Sequence, residues 1–220
     1  ILKSNYFNIL FCTFCIIILV NGTNFIDGLN GLVIGYYLTI LIIIFSNQLY
    51  INIVTEEFIV LFIFLLFLMF ILNQLNKIYL GDSGSYLIAF FTATFLIQIY
   101  IENQNISPFF IILLIWYPCF ENLFSISRKL KFNSSPLNPD NYHLHQLLFK
   151  FFKQKTNLNK KISNNLTSIL IIFYNLIIVF LGSLSYQNTK FQVGLLILNL
   201  IIYISLYILL GLKIKYKKIY

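Results

Sequence analysis

Charge is what this sequence has least of. Only 10% of its 220 residues are Asp, Glu, Lys or Arg, while 59% are hydrophobic; soluble domains carry about 25% charged residues. With a mean hydropathy of +0.85, the chain cannot live in water as a monomeric globule, which excludes most soluble enzyme folds and disordered tails. Cysteine is also scarce, and Cys12, Cys15 and Cys119 all stand in apolar runs. Cys12 and Cys15 form a single C-x-x-C with no second pair, so they read as small apolar residues rather than a redox or zinc site. A disulfide-stapled secreted scaffold is thereby excluded. The chain opens Ile1-Leu2-Lys3 without an initiating methionine, and its first apolar run leads into a polar motif rather than a cleavage site. It reads as part of a longer protein. No internal repeat is evident, and the apolar runs lack period-2 alternation, which favours helices over a transmembrane barrel.

What is present is seven apolar stretches, about 6–20, 31–47, 58–73, 84–101, 107–126, 166–186 and 191–212, each near the roughly 20 residues that span a bilayer. The expected fold is all-α, a polytopic transmembrane bundle of about seven spans forming one membrane-embedded domain over 1–220. Numbering the polar segments alternately puts 13 of the 15 basic residues on one side, among them Lys77, Arg128, Lys129, Lys131, Lys150, Lys153, Lys155, Lys160, Lys161, Lys213, Lys215, Lys217 and Lys218; Lys3 and Lys190 fall on the other. By the positive-inside rule the first side is cytoplasmic, with 127–165 as its longest loop. This also accounts for the net charge of +8 without a nucleic-acid partner.

Three polar segments fall on that cytoplasmic side. The first is Asn21-Gly22-Thr23-Asn24-Phe25-Ile26-Asp27-Gly28-Leu29-Asn30-Gly31-Leu32. Were it helical, Asn21, Asn24, Gly28, Gly31 and Gly35 would share an arc of about 80°, with Asp27 beside it and Asn30 pointing away. Helix packing through small residues explains the glycines but not an aspartate, whose burial in a bilayer costs about 2.5–3.5 kcal/mol. The second is Tyr79-Leu80-Gly81-Asp82-Ser83-Gly84-Ser85. Asp82 is either a cap for the next helix or a carboxylate placed to hold Mg²⁺ against phosphate oxygens. The third, Asn138-Pro139-Asp140-Asn141-Tyr142-His143-Leu144-His145-Gln146, holds both histidines of the chain. Residues two apart share a face only in extended structure, so a loop fits them better than a helix. After them, Leu144, Leu147, Leu148, Phe151 and Phe152 make a helical stripe with Lys150 and Lys153 opposite, an amphipathic helix for the membrane surface. The histidines read either as ordinary surface residues or as phosphate partners. Glu121 lies in the fifth apolar run, with Arg128 about 20° away on a helix; the two either pair or leave Arg128 for lipid phosphate.

Together the segments resemble the polyprenyl-phosphate N-acetylhexosamine-1-phosphate transferase superfamily, glycosyltransferase family 4. Its N-x-x-N-x-x-D-G-L-D-G-L pattern is matched by Asn21, Asn24, Asp27, Gly28, Leu29, Gly31 and Leu32, and its G-D-x-G-S by Gly81, Asp82, Gly84 and Ser85. The histidine loop, Pro-Asp-Asn-Tyr-His-Leu-His, is similar to that of the undecaprenyl-phosphate GlcNAc-1-phosphate branch. Asn30 stands where the pattern has its second Asp, as in the eukaryotic members, and the family's upstream Asp-Asp pair is missing. The resemblance implies a Mg²⁺-dependent enzyme, Mn²⁺ being an alternative ion, in the bacterial inner membrane. It would move N-acetylhexosamine 1-phosphate from a UDP-N-acetylhexosamine to polyprenyl phosphate, releasing UMP and starting a lipid-linked envelope glycan. It implies Asp82 and Asn24 as metal ligands. Asp27, His143 and His145 would be catalytic, and Asn21, Asn24, Asp27, Arg128, His143 and His145 would bind substrate. Without the Asp-Asp pair, the 220 residues alone are expected to be inactive. A phospho-MurNAc-pentapeptide translocase reaction, or a non-enzymatic transporter or lipid-binding protein, remain the alternatives.

Overall fold

Each apolar stretch becomes helix in the computed structural model, which describes residues 5–133, 135, 138, 140–155 and 159–213. Lys3, Pro139 and the tail lysines Lys215, Lys217 and Lys218 lie outside the described residues. Among the described residues there are nine helices and no strand: α1 (Asn5–Ile26), α2 (Leu32–Ser46), α3 (Glu56–Gln74), α4 (Gly81–Glu102), α5 (Pro108–Leu114), α6 (Trp116–Lys131), α7 (Leu144–Lys155), α8 (Lys160–Ser183) and α9 (Thr189–Lys213). Five of them, α1, α3, α4, α8 and α9, are long and apolar enough to cross a membrane, and α5 with α6 makes a sixth if the bent pair is one span. The chain is a multi-pass membrane protein. Its outer faces suit lipid rather than water, as the exposed Phe58, Leu61, Phe64 and Leu65 of α3 show.

The expectation of seven spans changes in two places. The second stretch, α2, has 15 residues, about 22 Å of helix against a hydrocarbon core of about 30 Å. It is buried nearly all round, with Tyr36, Tyr37, Ile40 and Leu41 completely enclosed, and it packs between α3 and α8. It is the core of the bundle. The fifth stretch breaks at Ile115, where α5 and α6 meet at 77°. Pro118 accounts for the break, because it has no N–H to give the carbonyl four residues back. That carbonyl, Leu114 O, instead accepts the Tyr36 hydroxyl at 2.7 Å, so a side chain of the core helix fills the bond that proline vacates.

Helix starts follow local chemistry. Thr55 accepts from Phe58 N ahead of Glu56 and Glu57 in α3, Ser107 with Pro108 opens α5, and Asn159 accepts from Ile162 N at 2.8 Å to open α8. The α7 helix forms as the apolar stripe requires, but α8 and α9 cover that stripe, burying Leu144 and Leu147.

The first polar segment departs from a continuous helix. The α1 helix stops at Ile26 and the chain turns through 27–31. Gly31 takes a left-handed φ of 71°, which glycine adopts at no steric cost. A methyl there would lie 2.5 Å from Gln74 Nε2. Neutral amides pin the turn: Asn30 N donates to Asn164 Oδ1 at 2.8 Å, Gln74 Nε2 to Asn30 O at 2.9 Å, Asn30 Nδ2 to Asn76 Oδ1, Gly31 N to Asn73 Oδ1, and Asn165 Nδ2 to Gln74 O at 2.9 Å. The end of α3 and the start of α8 thus hold the α1–α2 turn from both sides.

Candidate active site

At that same end of the bundle lies a cavity of about 510 Å³. Asn21, Asn24, Asp27 and Gly28 wall it from α1 and the turn, Asn122 and Lys129 from α6, and Asn138, Asp140, His143 and Gln146 from the segment before and into α7. The first and third polar segments therefore share one cavity. The second joins through a hydrogen bond, since Asn24 Nδ2 donates to Asp82 Oδ1 at 2.9 Å.

One side of the cavity is acidic. Asp82 is exposed in the first turn of α4, where the helix dipole favours a carboxylate. It does not cap that helix: the capping position is Leu80, and no side-chain cap bond is made there. The carboxylate is turned to Asn24 instead. Asp27 is half-buried, and burial first, then the nearby Asp82 charge, push its carboxyl up to about 6. Two carboxylates and an amide oxygen are hard donors that suit Mg²⁺, which keeps waters and phosphate oxygens for its remaining positions. Among the described residues no three His, Cys, Asp or Glu side chains converge on one point, so a soft-metal site of the zinc type does not fit here.

The opposite side is basic and tied down. Arg128 Nη2 donates to Asp140 Oδ1 and Oδ2 at 3.2 and 3.0 Å. Lys129 Nζ lies 3.6 Å from Asp140 Oδ2 and donates to Asn138 O at 2.6 Å. Burial works to raise the Asp140 carboxyl, but Arg128, the Tyr142 amide and His143 outweigh it and hold it below the usual carboxylate range. Arg128 is thus an anchor for the loop rather than part of the cavity wall. The expected Glu121–Arg128 pair does not form. Glu121 faces inward to His143 Nδ1 at 3.0 Å, Leu144 N at 3.2 Å and Tyr203 Oη at 2.9 Å.

The two histidines part company. His143 lines the cavity. His145 is fully buried in the first turn of α7, stacked behind His143 with ring centroids 5.6 Å apart. Burial first, then the His143 charge, hold its imidazole well below the ordinary range. Its Nε2 lies 2.9 Å from where a Cβ on Gly28 would stand, so glycine is what lets α7 dock on the turn. The expected loop therefore holds for His143, in a bend before α7, but not for His145, which is in the helix.

Sequence reasoning missed three parts of the wall. Lys129 read either as part of a basic rim or as a plain topology signal, and was not named as a site residue. Asn122, whose Nδ2 donates to Ile18 O at 3.0 Å, was masked by its apolar run. Gln146 accepts from His143 N at 3.3 Å, the half of a capping box in which the glutamine three residues into a helix start reaches back to the preceding amide, a spacing signal that was present in the sequence.

Residues 1–100, which carry Asn24, Asp27 and Asp82, match the family described as glycosyl transferase family 4. Curated relatives named undecaprenyl-phosphate alpha-N-acetylglucosaminyl 1-phosphate transferase align beyond that stretch. The one from Thermotoga maritima is 25% identical over 164 residues, covering 74% of this chain and 47% of the relative. That from Yersinia pestis is 26% identical over 60% of this chain and 38% of the relative, and that from Escherichia coli K12 is 27% identical over 66% and 41%. The chain thus matches less than half the length of each of these relatives. No solved structure matches the chain. The family 4 stretch ends within α4, so Lys129, Asp140 and His143 are contributed by the part of the chain beyond it.

Proposed function

We propose that the complete protein transfers N-acetylhexosamine 1-phosphate, GlcNAc 1-phosphate in the first instance, from a UDP-sugar to undecaprenyl phosphate. A lipid phosphate oxygen attacks the phosphorus that bears the sugar. The bond from that phosphorus to the UMP oxygen breaks, leaving UMP and a polyprenyl-diphospho-sugar. The observation that carries this reading is the single cavity lined by Asp27 and Asn24, with Asp82 joined to it through Asn24, and by His143 and the tethered Lys129. Two anions must be brought together there, and both electrostatic ends are supplied.

Asp82 and the Asn24 amide oxygen would hold Mg²⁺, with Asp27 beside them; the burial and like charge that raise Asp27 are the strain a cation relieves. The ion, Mg²⁺ or Mn²⁺, would neutralise diphosphate oxygens and polarise the phosphorus. His143 faces the diphosphate across the cavity and Lys129 adds charge to the same wall. Arg128 keeps Asp140 from repelling the substrate. Asn21, exposed on the rim, offers an amide to the nucleotide, and His145 supports His143 from behind. The 13-to-2 distribution of basic residues supports a cytoplasmic-membrane enzyme with this face in the cytoplasm.

The test is UMP release by the complete protein in detergent, with polyprenyl phosphate and Mg²⁺, in parallel arms with UDP-GlcNAc and UDP-MurNAc-pentapeptide. Release with UDP-GlcNAc that stops when the cation is chelated is the expected result. Release only with the pentapeptide donor would transfer the protein to the translocase reaction. Release with neither would end the reading as an enzyme of this class.

A further inference from the structure

Glu121 is the least expected charge in the protein. It sits within α6 at 1% exposure, where an ionised carboxylate costs several kcal/mol unless its lone pairs are filled. They are filled from three directions. Oε1 accepts the Leu144 N–H at the start of α7, an amide that has no partner within its own helix. The same oxygen meets His143 Nδ1 at 3.0 Å, and Oε2 accepts the Tyr203 hydroxyl from α9. An ionised carboxylate only accepts, so the hydrogen on His143 belongs on Nδ1.

The ring has little freedom to turn over. The Phe25 ring packs 5.2 Å away on one side and the His145 ring 5.6 Å away on the other. A flip would set a C–H against Glu121 Oε1. The other nitrogen, Nε2, lies 3.7 Å from Asp140 Oδ1, beyond hydrogen-bond range, and that oxygen already accepts from Arg128 and Tyr142 N.

We infer that Glu121 is a positioning residue for His143: it accepts the Nδ1 N–H in a buried hydrogen bond and leaves Nε2 as the nitrogen that faces the cavity, where it accepts from a phosphate hydroxyl or, once protonated itself, donates to a phosphate oxygen. The inference rests on the proposed phosphoryl transfer for its purpose, though not for its geometry. A carboxylate behind a functional imidazole fixes both its tautomer and its orientation. Here the same carboxylate also ties α6, the start of α7 and α9 together at the cavity wall.

The experiment uses the complete protein, labelled with ¹⁵N-histidine, in lipid nanodiscs and without substrate. Two-bond ¹⁵N–¹H correlation spectra distinguish the two neutral tautomers, and the His143 signals are assigned by their loss in His143→Gln. The expected wild-type result is a ring that carries a hydrogen on Nδ1, directed at Glu121. In Glu121→Ala the ring loses that preference, and turnover falls about tenfold to a hundredfold, the range for loss of the group behind a functional histidine. Glu121→Gln, whose Oε1 still accepts from Nδ1–H, retains the tautomer and most of the turnover. A wild-type His143 protonated at Nε2 alone overturns the inference without any variant having to fold. So does an unchanged tautomer in Glu121→Ala, or a Glu121→Gln turnover as low as that of the alanine variant. Because the tautomer is read without substrate, its outcome is independent of which sugar nucleotide the enzyme uses.

Discussion

Asp82 separates a structural role from a chemical one by a single atom's change. Its carboxylate accepts from Asn24 and gives the start of α4 no cap, so Asp82→Asn leaves the helix and the bundle as stable as before. If Asp82 holds Mg²⁺ as proposed, loss of its charge removes several kcal/mol of transition-state stabilisation, on the order of a hundredfold or more in turnover. UMP release and thermal unfolding in detergent, measured on the same preparation, check both halves. An equal loss in the two would return Asp82 to a folding role. At this scale the sequence was informative about which residues meet: Asp27 and His143, singled out by type, line one cavity, and Asp82 is bonded to Asn24 beside it. It was uninformative about bonding partners drawn from distant parts of the chain. Glu121 was visible as a carboxylate in an apolar run, and the helical partner closest to hand was Arg128. Its real partners are His143 and Tyr203, the latter 82 positions away, and no periodicity joins them. Asn30 likewise looked like a substituted aspartate pointing away from the site, whereas it is the hub of the amides that hold the turn.

Among the elements, the broken pair α5–α6 depends on one hydroxyl. Tyr36→Phe removes the donor to Leu114 O and leaves a buried carbonyl without that bond, which costs about 1–3 kcal/mol. Denaturation of the variant in detergent measures it, and an unchanged stability would show that the carbonyl finds another donor. The break itself could have been read from Pro118, a proline inside a helical run; that its vacated carbonyl is met by α2 could not. The segment leading into α7 carries the pH dependence. Asp140 is held below the ordinary carboxylate range when folded, so its bonds stabilise the loop fully above an unfolded pKa of about 3.9 and fade as pH falls through the lower folded value. Asp140→Asn therefore melts below the wild type at neutral pH, and the two melting temperatures converge as the pH falls through the lowered folded value. A gap that persisted in acid would mean that the loop is held by packing alone. The α7 helix itself was legible because an i, i+3, i+4 stripe is a local signal; its cover by α8 and α9 was not, because a stripe does not say whether protein or lipid will face it.

For the whole molecule, the arrangement of ends is what matters. Asn103 Nδ2 reaches Leu49 O at 3.3 Å and Ser107 N reaches Tyr186 O at 3.0 Å, so those connections gather at the end opposite the cavity. Single cysteines at the exposed positions Lys155 and Gln104, in a background without native cysteines, should react with an impermeant thiol reagent from opposite sides, with Gln104 reached from outside intact cells. Labelling of both from outside would reverse the assignment of the cavity to the cytoplasm. The amides that pin the turn after α1 have a consequence at this scale as well. Asn30, Asn73, Asn76, Gln74, Asn164 and Asn165 carry no ionisable group, so neither acid nor dissolved electrolyte can weaken their hold by neutralisation or by Debye screening. The tethers of the histidine loop, Arg128 and Lys129 on Asp140, are open to both. Brine and acid would then act on the two walls of one cavity unequally, loosening the wall built from the histidine loop while the wall built from the turn after α1 keeps its shape.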